Sequence, residues 1–558
     1  MEKKSLNSIK NRVYRIEGNI IDHHHKEIFE GSIEIEGKHI KAIHRHPTCS
    51  ASYIMAGLVN AHVHLESSML MPQEFGKLSI AHGTIATVSD PHEIANVMGT
   101  EGIEYLMQHA ESSPIKHFFT IPSCVPASPF DSNGATIDSD EVEQLARSGR
   151  FVALSEVMNI PGVIHKDPEV IAKLAVAKAN HLPIDGHAPL LSGEPLQQYA
   201  AASITTDHES CDLQIAKEKL SNGIKIILRQ GSAAKNYPSL HPLIASHTDQ
   251  LMFCTDDSHP DDLLHHGEID LILRKALTDG YSIFDLLKIA SSNPINHYKL
   301  NVGQLRPGDL ADFIVIDNLE ALHTKQVYIE GELCYDSRQA GEQAPPESQP
   351  IIPINRFDHA PIQPQCLAFP TDGTELLMIG LISNQIITQK RSFTPHTTHN
   401  FESDLTQDIL KIVYLNRYTD SEPQVAFCQG MGLKRGALAS SIAHDSHNII
   451  AIGCSDQAIT EAINELIAHR GALVVHDGHK VHSLPLPIGG IISDQPATEV
   501  IRRYEHLQRL TNLIGSPLQS PFMTLSFLAL VVIPHLKIGE QGLFDYNLFD
   551  WVEKKPLN

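Results

Sequence analysis

Between residues 54 and 300, eight short apolar runs alternate with stretches of helical spacing, and this alternation constrains the fold more than any other feature of the 558-residue chain. The runs end at Asn60, Ser89, Cys124, Glu156, Gly186, Asp207, Arg229 and Thr255. Short apolar runs separated by helical patterns are the mark of parallel βαβ units. Two of the intervening stretches, DPEVIAKLAVAKANH and DLQIAKEKLSNG, have an acidic start, and the second closes on glycine. Eight parallel strands with helices between them predict an α/β chain built on a (β/α)8 TIM-like barrel, whose chemistry gathers at the C-terminal ends of the strands.

The flanks read differently. Residues 13 to 45 alternate apolar and polar positions in short pieces, and a similar pattern returns from 308 to 336. Segments 1–53 and 302–340 are therefore expected to close one small β-sandwich domain beside a barrel spanning 54–301. Residues 341–365 have the Pro, Gln and Ser content of a linker. Residues 366–558 carry their own strands and the amphipathic stretch AITEAINELIAHRG, enough for a C-terminal α/β domain.

Composition narrows the partners. Lys and Arg number 43 against 66 Asp and Glu, a formal charge of -23, which repels phosphate backbones and anionic lipid; neither nucleic acid nor a membrane is expected. The eight cysteines form no CxxC pair, which suits a reducing compartment. The first residues lack the apolar core of a signal peptide. The longest apolar run, Leu525 to Ile533, falls well short of the roughly 20 residues that span a bilayer. A cytoplasmic location follows as the expectation. Histidine is abundant, at 34 residues, so position has to select among them.

Directly after the first run comes Asn60-Ala-His62-Val-His64-Leu-Glu66-Ser67. Residues two apart on an extended segment point the same way, so His62 and His64 can present two imidazoles to one cation. Four further run ends carry an imidazole or carboxylate: Glu156, His187 in DGHAP, His208 and Glu209 in DHES, and Asp256 with Asp257. On a barrel these positions converge. A bridging carboxylate, four imidazoles and one further carboxylate suit two divalent first-row ions, Mn, Fe or Zn. Two such ions acidify a shared water. The HxE and PCxxC signature of the base-flipping zinc deaminases is absent, as is a P-loop.

The runs HVHLESSMLMPQEF (62 to 75), DPHEIANV (90 to 97), SEVMNIPGVI (155 to 164), GHAP, DHES, GSAAKN (231 to 236) and CTDDSHPDDL (254 to 263) resemble the bacterial adenine deaminases of the amidohydrolase superfamily. So do GLKRGALASSIAHDSHNII (432 to 450), LPLPIGG (484 to 490) and FMTLSFLALVVIP (522 to 534), which extend the likeness over nearly the whole chain. The resemblance implies that His62, His64 and Asp256 hold one metal, that His187 and His208 hold the second, and that Glu156 bridges them. The reaction it implies is hydrolysis of adenine to hypoxanthine and ammonia, with a metal-bridged hydroxide attacking C6.

Attack is easier with a proton on N1, and ammonia must leave protonated, so an acid and a proton carrier are needed. Glu93 is the candidate for N1 and Asp256 for the hydroxide proton. His92 lies beside Glu93 in DPHE, while Glu66 and Ser67 are placed to orient a ligating imidazole. Asp257, Ser232 and Arg229 are candidate substrate contacts. Ala443 to Asn448, a dense polar cluster before an apolar run, is expected either to cover the barrel mouth of its own or a neighbouring subunit or to serve as a strand-entry loop. A homo-oligomer, a dimer first, is expected of such a chain. Gln230, Ser258 and the run Asn416-Arg417-Tyr418 depart from the family pattern, and Gln230 and Ser258 leave open another aminopurine or a cyclic amide as substrate; a non-catalytic purine-binding homologue would be expected to lose metal ligands, and none is missing.

Overall fold

A computed structural model describes residues 13–339, 350–382, 385–397 and 400–553. Residues 1–12 and 340 of the flanks and 341–349 of the linker lie outside the described residues.

Eight parallel strands form the barrel. Leu58–Val63, Thr84–Ser89, Lys116–Ile121, Phe151–Val157 and Ile184–Gly186 make one hydrogen-bonded set, and Thr206–Asp207, Lys225–Arg229 and Leu251–Cys254 the other. Two seams join them. Thr205 N donates to Ile184 O at 2.8 Å, and on the other side Asp256 N donates to His62 O at 3.0 Å. The circle is therefore complete, and the strand interiors, fully buried, supply its apolar core. Strand ends fall within three residues of the ends of the apolar runs, at the first and third strands, and coincide at four of the eight.

Some of the barrel helices start where an aspartate caps them. Asp167 accepts from Glu169 N and Val170 N ahead of Pro168–Ala179, and Asp212 accepts from Gln214 N and Ile215 N ahead of Leu213–Ser221. These are the acidic starts legible in the sequence; each satisfies backbone donors that a helix leaves unpaired.

The two flanks combine into one continuous seven-stranded sheet, in the spatial order 332–336, 324–329, 313–316, 53–56, 13–22, 27–36 and 39–45. Tyr53–Ala56 joins the halves: it runs parallel to Val13–Asp22 and antiparallel to Phe313–Ile316. Here the structure corrects the sequence reading. The apolar run ending at Asn60 is two strands, the first in this sheet and the second in the barrel. Gly57 separates them, and a Cβ there would lie 2.2 Å from Ile85 Cδ1, so only glycine lets the chain cross.

The C-terminal domain is an eight-stranded mixed sheet, in the order 388–393, 376–381, 424–429, 409–415, 449–453, 437–440, 472–476 and 481–485, with Asp456–His469 packed on one face. Residues 350–365, read as linker, lie against it. Phe357 and Ile362 are buried there, and Asp358 N donates to Arg417 O at 2.7 Å. Their prolines forbid a regular ladder, but the two apolar side chains still find a core. Ser493 N donates to Met69 O at 2.9 Å, and Ala497 N to Glu74 Oε2 at 2.9 Å, so this domain sits on the barrel face that carries the strand ends. Among the described residues no helix is long and apolar enough to cross a membrane.

Candidate active site at the barrel mouth

The first strand turns His62 and His64 into the barrel, with ring centroids 4.8 Å apart and nearly perpendicular. Asp256, just past the eighth strand, lies with Oδ1 3.2 Å from His62 Nε2 and 3.1 Å from His64 Nε2. Glu156, at the end of the fourth, reaches both sides: Oε1 is 3.3 Å from His64 Nε2, while Oε2 is 2.7 Å from His187 Nδ1 and 3.3 Å from His208 Nε2. All six residues are buried. Thus the histidines and carboxylates singled out on five different strands meet in one cluster, with Glu156 in the middle.

This donor set fits divalent cations. His62 Nε2 is buried without a hydrogen-bond partner and faces two carboxylates, the condition of a ligand atom awaiting an ion. The tautomer of His64 is set from behind: its Nδ1 lies 3.1 Å from the carbonyl oxygen of Asp90, which can only accept, so Nε2 keeps its lone pair for the cluster. Asp256 takes a φ of 57°, in the left-handed region, a strain of about 1–2 kcal/mol for a residue with a Cβ. That backbone turn aims its carboxylate inward. Burial opposes charge on His208, yet Glu156 and Asp256 outweigh it and lift the imidazole to about 9.

The DPHE run opens a helix at the barrel mouth. Asp90 accepts from His92 N at 3.1 Å, a turn that opens the helix His92–Met98, and its second oxygen lies 3.0 Å from His92 Nδ1. His92 stands between the cluster and Glu93, 3.7 Å from Glu156 Oε1 and 3.5 Å from Glu93 Oε1. Glu66 accepts from Ile94 N at 3.1 Å, and burial lifts its carboxyl to about 7. Ser67 donates to Asp257, whose carboxyl is lifted to about 6, by burial first and then by Asp256.

Two of the candidate substrate contacts are engaged elsewhere. Arg229 has both terminal nitrogens on carboxylates, Nη2 at 3.0 Å from Glu209 Oε2 and Nη1 shared between Glu209 and Asp256. A buried guanidinium requires such partners, so Arg229 orients Asp256 and is not free for substrate. Ser232 donates to Asp262 and accepts from His259 N at 2.8 Å. It also lines a small pocket with Phe527 and Leu528 of the C-terminal domain.

Sequence reasoning named Glu209 in the DHES run but gave it no role; it lies 3.7 Å from both His187 Nδ1 and His208 Nε2. It also left undecided the polar cluster at 443–448, which covers the mouth of its own barrel. His444 Nδ1 lies 2.7 Å from Glu93 Oε1, and His447 Nε2 hydrogen-bonds Glu93 Oε2. Burial would raise the Glu93 carboxyl, but His444, His447 and His92 together hold it well below the usual range. Of the departures from pattern, Gln230 and Ser258 are buried beside the site, and Arg417 packs behind the 443–448 loop through its backbone N–H, which donates to Asn448 Oδ1 at 2.9 Å.

A closed parallel barrel with histidines and carboxylates gathered at its strand ends defines a metal-dependent hydrolase of the amidohydrolase class. The family model described as amidohydrolase family matches residues 53–334, and the one described as adenine deaminase C-terminal domain matches 385–550. A protein of Methanosarcina barkeri named adenine deaminase is 44% identical over 544 residues, covering 96% of this chain and 98% of that protein. One of Salinibacter ruber with the same name is 43% identical over 545 residues, covering 97% and 99%. Among solved structures, an N-acetyl-D-glucosamine-6-phosphate deacetylase of Mycobacterium smegmatis matches at 14% identity and a TM-score of 0.44, covering 57% of this chain and 99% of that one. The chain belongs to the adenine deaminase family.

Proposed function

We propose that the barrel-mouth cluster binds two divalent metal ions, Mn or Fe by preference, and hydrolyses adenine to hypoxanthine and ammonia. The observation that carries this reading is the convergence of His62, His64, Glu156, His187, His208 and Asp256 on one buried point in a chain of this family. His62, His64 and Asp256 would hold one ion, His187 and His208 the other, with Glu156 between them. Ions held there would supply an acidified water at neutral pH.

The protein's own groups manage two protons. One water contributes the oxygen that replaces the amino group on C6, and its two hydrogens end on N1 and on the departing ammonia. Glu93, held ionised by His444, His447 and His92, relays the first from the water to N1 and Asp256 carries the second, each a general acid–base role. Arg229 and Glu209 keep Asp256 aimed. Asp257, whose carboxylate accepts from Ser67, would meet the purine edge. Closure of the mouth by the C-terminal domain keeps bulk water away from the reacting carbon. We further read the enzyme as a cytoplasmic homodimer.

The test pairs metal analysis with turnover. Purified protein loaded with Mn or Fe should hold about two ions per chain and convert adenine to hypoxanthine, with other aminopurines and cyclic amides assayed alongside. His62→Ala and Glu156→Gln should lose metal and nearly all turnover. Full metal loading with adenine left unchanged would remove the substrate assignment, and no metal binding at all would remove the whole reading.

A further inference from the structure

We propose that His444 and His447, both carried by the C-terminal domain, are positioning residues for the Glu93 carboxyl, so that the proton-delivering half of the active site is built from two domains. The inference rests on the reading of Glu93 as the group that protonates N1.

Glu93 stands in the first turn of the helix His92–Met98 but caps nothing: the leading N–H groups of that helix are met by Asp90, on His92 N, and by Glu66, on Ile94 N. Its two oxygens are instead taken one each by imidazoles from the other domain, Oε1 by His444 Nδ1 at 2.7 Å and Oε2 by His447 Nε2. Glu93, His444 and His447 are 2%, 4% and 1% exposed, so no water competes for these bonds. A glutamate side chain is long and loses substantial rotamer freedom when fixed. A donor on each oxygen fixes it in one orientation, and proton transfer to a ring nitrogen depends on such placement. Once the proton has gone to N1, the same two donors stabilise the carboxylate left behind, an interaction stronger after transfer than before it.

The imidazoles are themselves held. Residues 443–448 connect the strands Ala437–Ser440 and Ile449–Gly453 and project from that sheet into the barrel mouth. Tyr418 OH donates to Ser446 O at 2.6 Å, and Asn448 Nδ2 donates to Ser132 O, on a barrel loop, at 2.8 Å. The His444 ring lies flat on Phe527, centroids 4.6 Å apart at 14°. The His444 ring cannot turn away from Glu93 without disturbing this packing.

The experiment uses full-length, metal-replete enzyme. His444→Ala and His447→Ala should each lower kcat by about 10–100-fold, part of the span that general acid catalysis provides. KM for adenine should stay within about threefold and metal content should not change, since the lost groups act on proton transfer. His444→Asn and His447→Gln, which keep an N–H donor near Nδ1 and Nε2 respectively, should recover most of the loss. In a Glu93→Gln background either alanine should add less than about a twofold further loss, because residues that act as a unit are non-additive. Multiplicative losses in that background, alanine variants at full rate, or a drop of about one ion per chain in the alanine variants would each overturn the proposal. Glu93→Gln at full rate would remove the underlying role of Glu93 itself. Glu93→Gln inactive with both histidine variants at full rate would remove only the positioning role. If an alanine variant fails to fold, the Asn and Gln variants still decide: kcat unchanged from the wild type supports positioning by a donor, and kcat as low as in Glu93→Gln overturns it.

Discussion

The ammonium of Lys219 lies 3.0 Å from the carboxylate of Asp207, with both groups fully buried. Asp207 ends the sixth strand, one residue before His208, and its other oxygen accepts from Ala188 N at 2.9 Å, one residue after His187. Lys219 in turn reaches Ala188 O and Ser210 Oγ. One ion pair therefore ties together the two strand ends that carry His187 and His208.

Lys219→Met should leave Asp207 buried without its cation. Breaking one partner of such a pair costs about 3–5 kcal/mol, so the chemical-denaturation midpoint should fall sharply. The ions proposed at His187 and His208 should also bind more weakly, readable as metal retained after dialysis. A variant as stable as the parent, with unchanged metal retention, would show that the pair does not organise the site.

Arg229→Met tests the correction made to that residue. Were Arg229 a substrate contact, its loss would raise KM and leave the protein intact. As a brace between Glu209 and Asp256, its loss leaves two buried carboxylates facing each other, and about 3–5 kcal/mol of stability should go with it. Calorimetry and Michaelis kinetics on the same preparation separate the two.

His23 gives a pH-dependent prediction. Its ring is buried, with Nε2 2.8 Å from Ser292 Oγ, and burial first, then His24, pushes it down to about 3. The unfolded imidazole protonates near 6.5. Between those values the unfolded chain binds the extra proton, so the contribution of this group to stability is present above about pH 6.5 and is lost as pH falls toward 3. His23→Asn removes that dependence. On going from pH 7.5 to 5 the wild type should lose about 2 kcal/mol more than the variant. Parallel stability curves for the two proteins across this range would contradict it.

Gly57→Ala should destabilise the chain by about 1–3 kcal/mol, the usual cost of overpacking a filled core, because its methyl would collide with Ile85. Adding Ile85→Ala should restore part of the loss, as neighbours that share one space are non-additive. An additive double variant would place the cause elsewhere.

The barrel was legible because its signal is local. Run length, alternation with helical spacing and the acidic caps Asp167 and Asp212 each depend on residues within a turn or two. The same locality made the first apolar run look like one strand, since nothing in its pattern shows that Gly57 passes the chain from one sheet to another. The metal cluster was legible for a related reason: on a closed barrel, residues at strand ends converge whatever their separation in sequence.

The sequence by itself determined the barrel and the run ends on which imidazoles and carboxylates gather, because periodicity and fold geometry together place them, and the family resemblance singled out the six that would hold metal. Only the tertiary structure decided the partners of Arg229 and Glu93. Arg229 stands at the end of a strand as a substrate contact would, but burial beside Glu209 and Asp256 commits its charge to them. Glu93 and His447 are 354 residues apart, on different domains. Hydrogen bonds between such groups follow from how two domains dock, and no spacing within the chain encodes that.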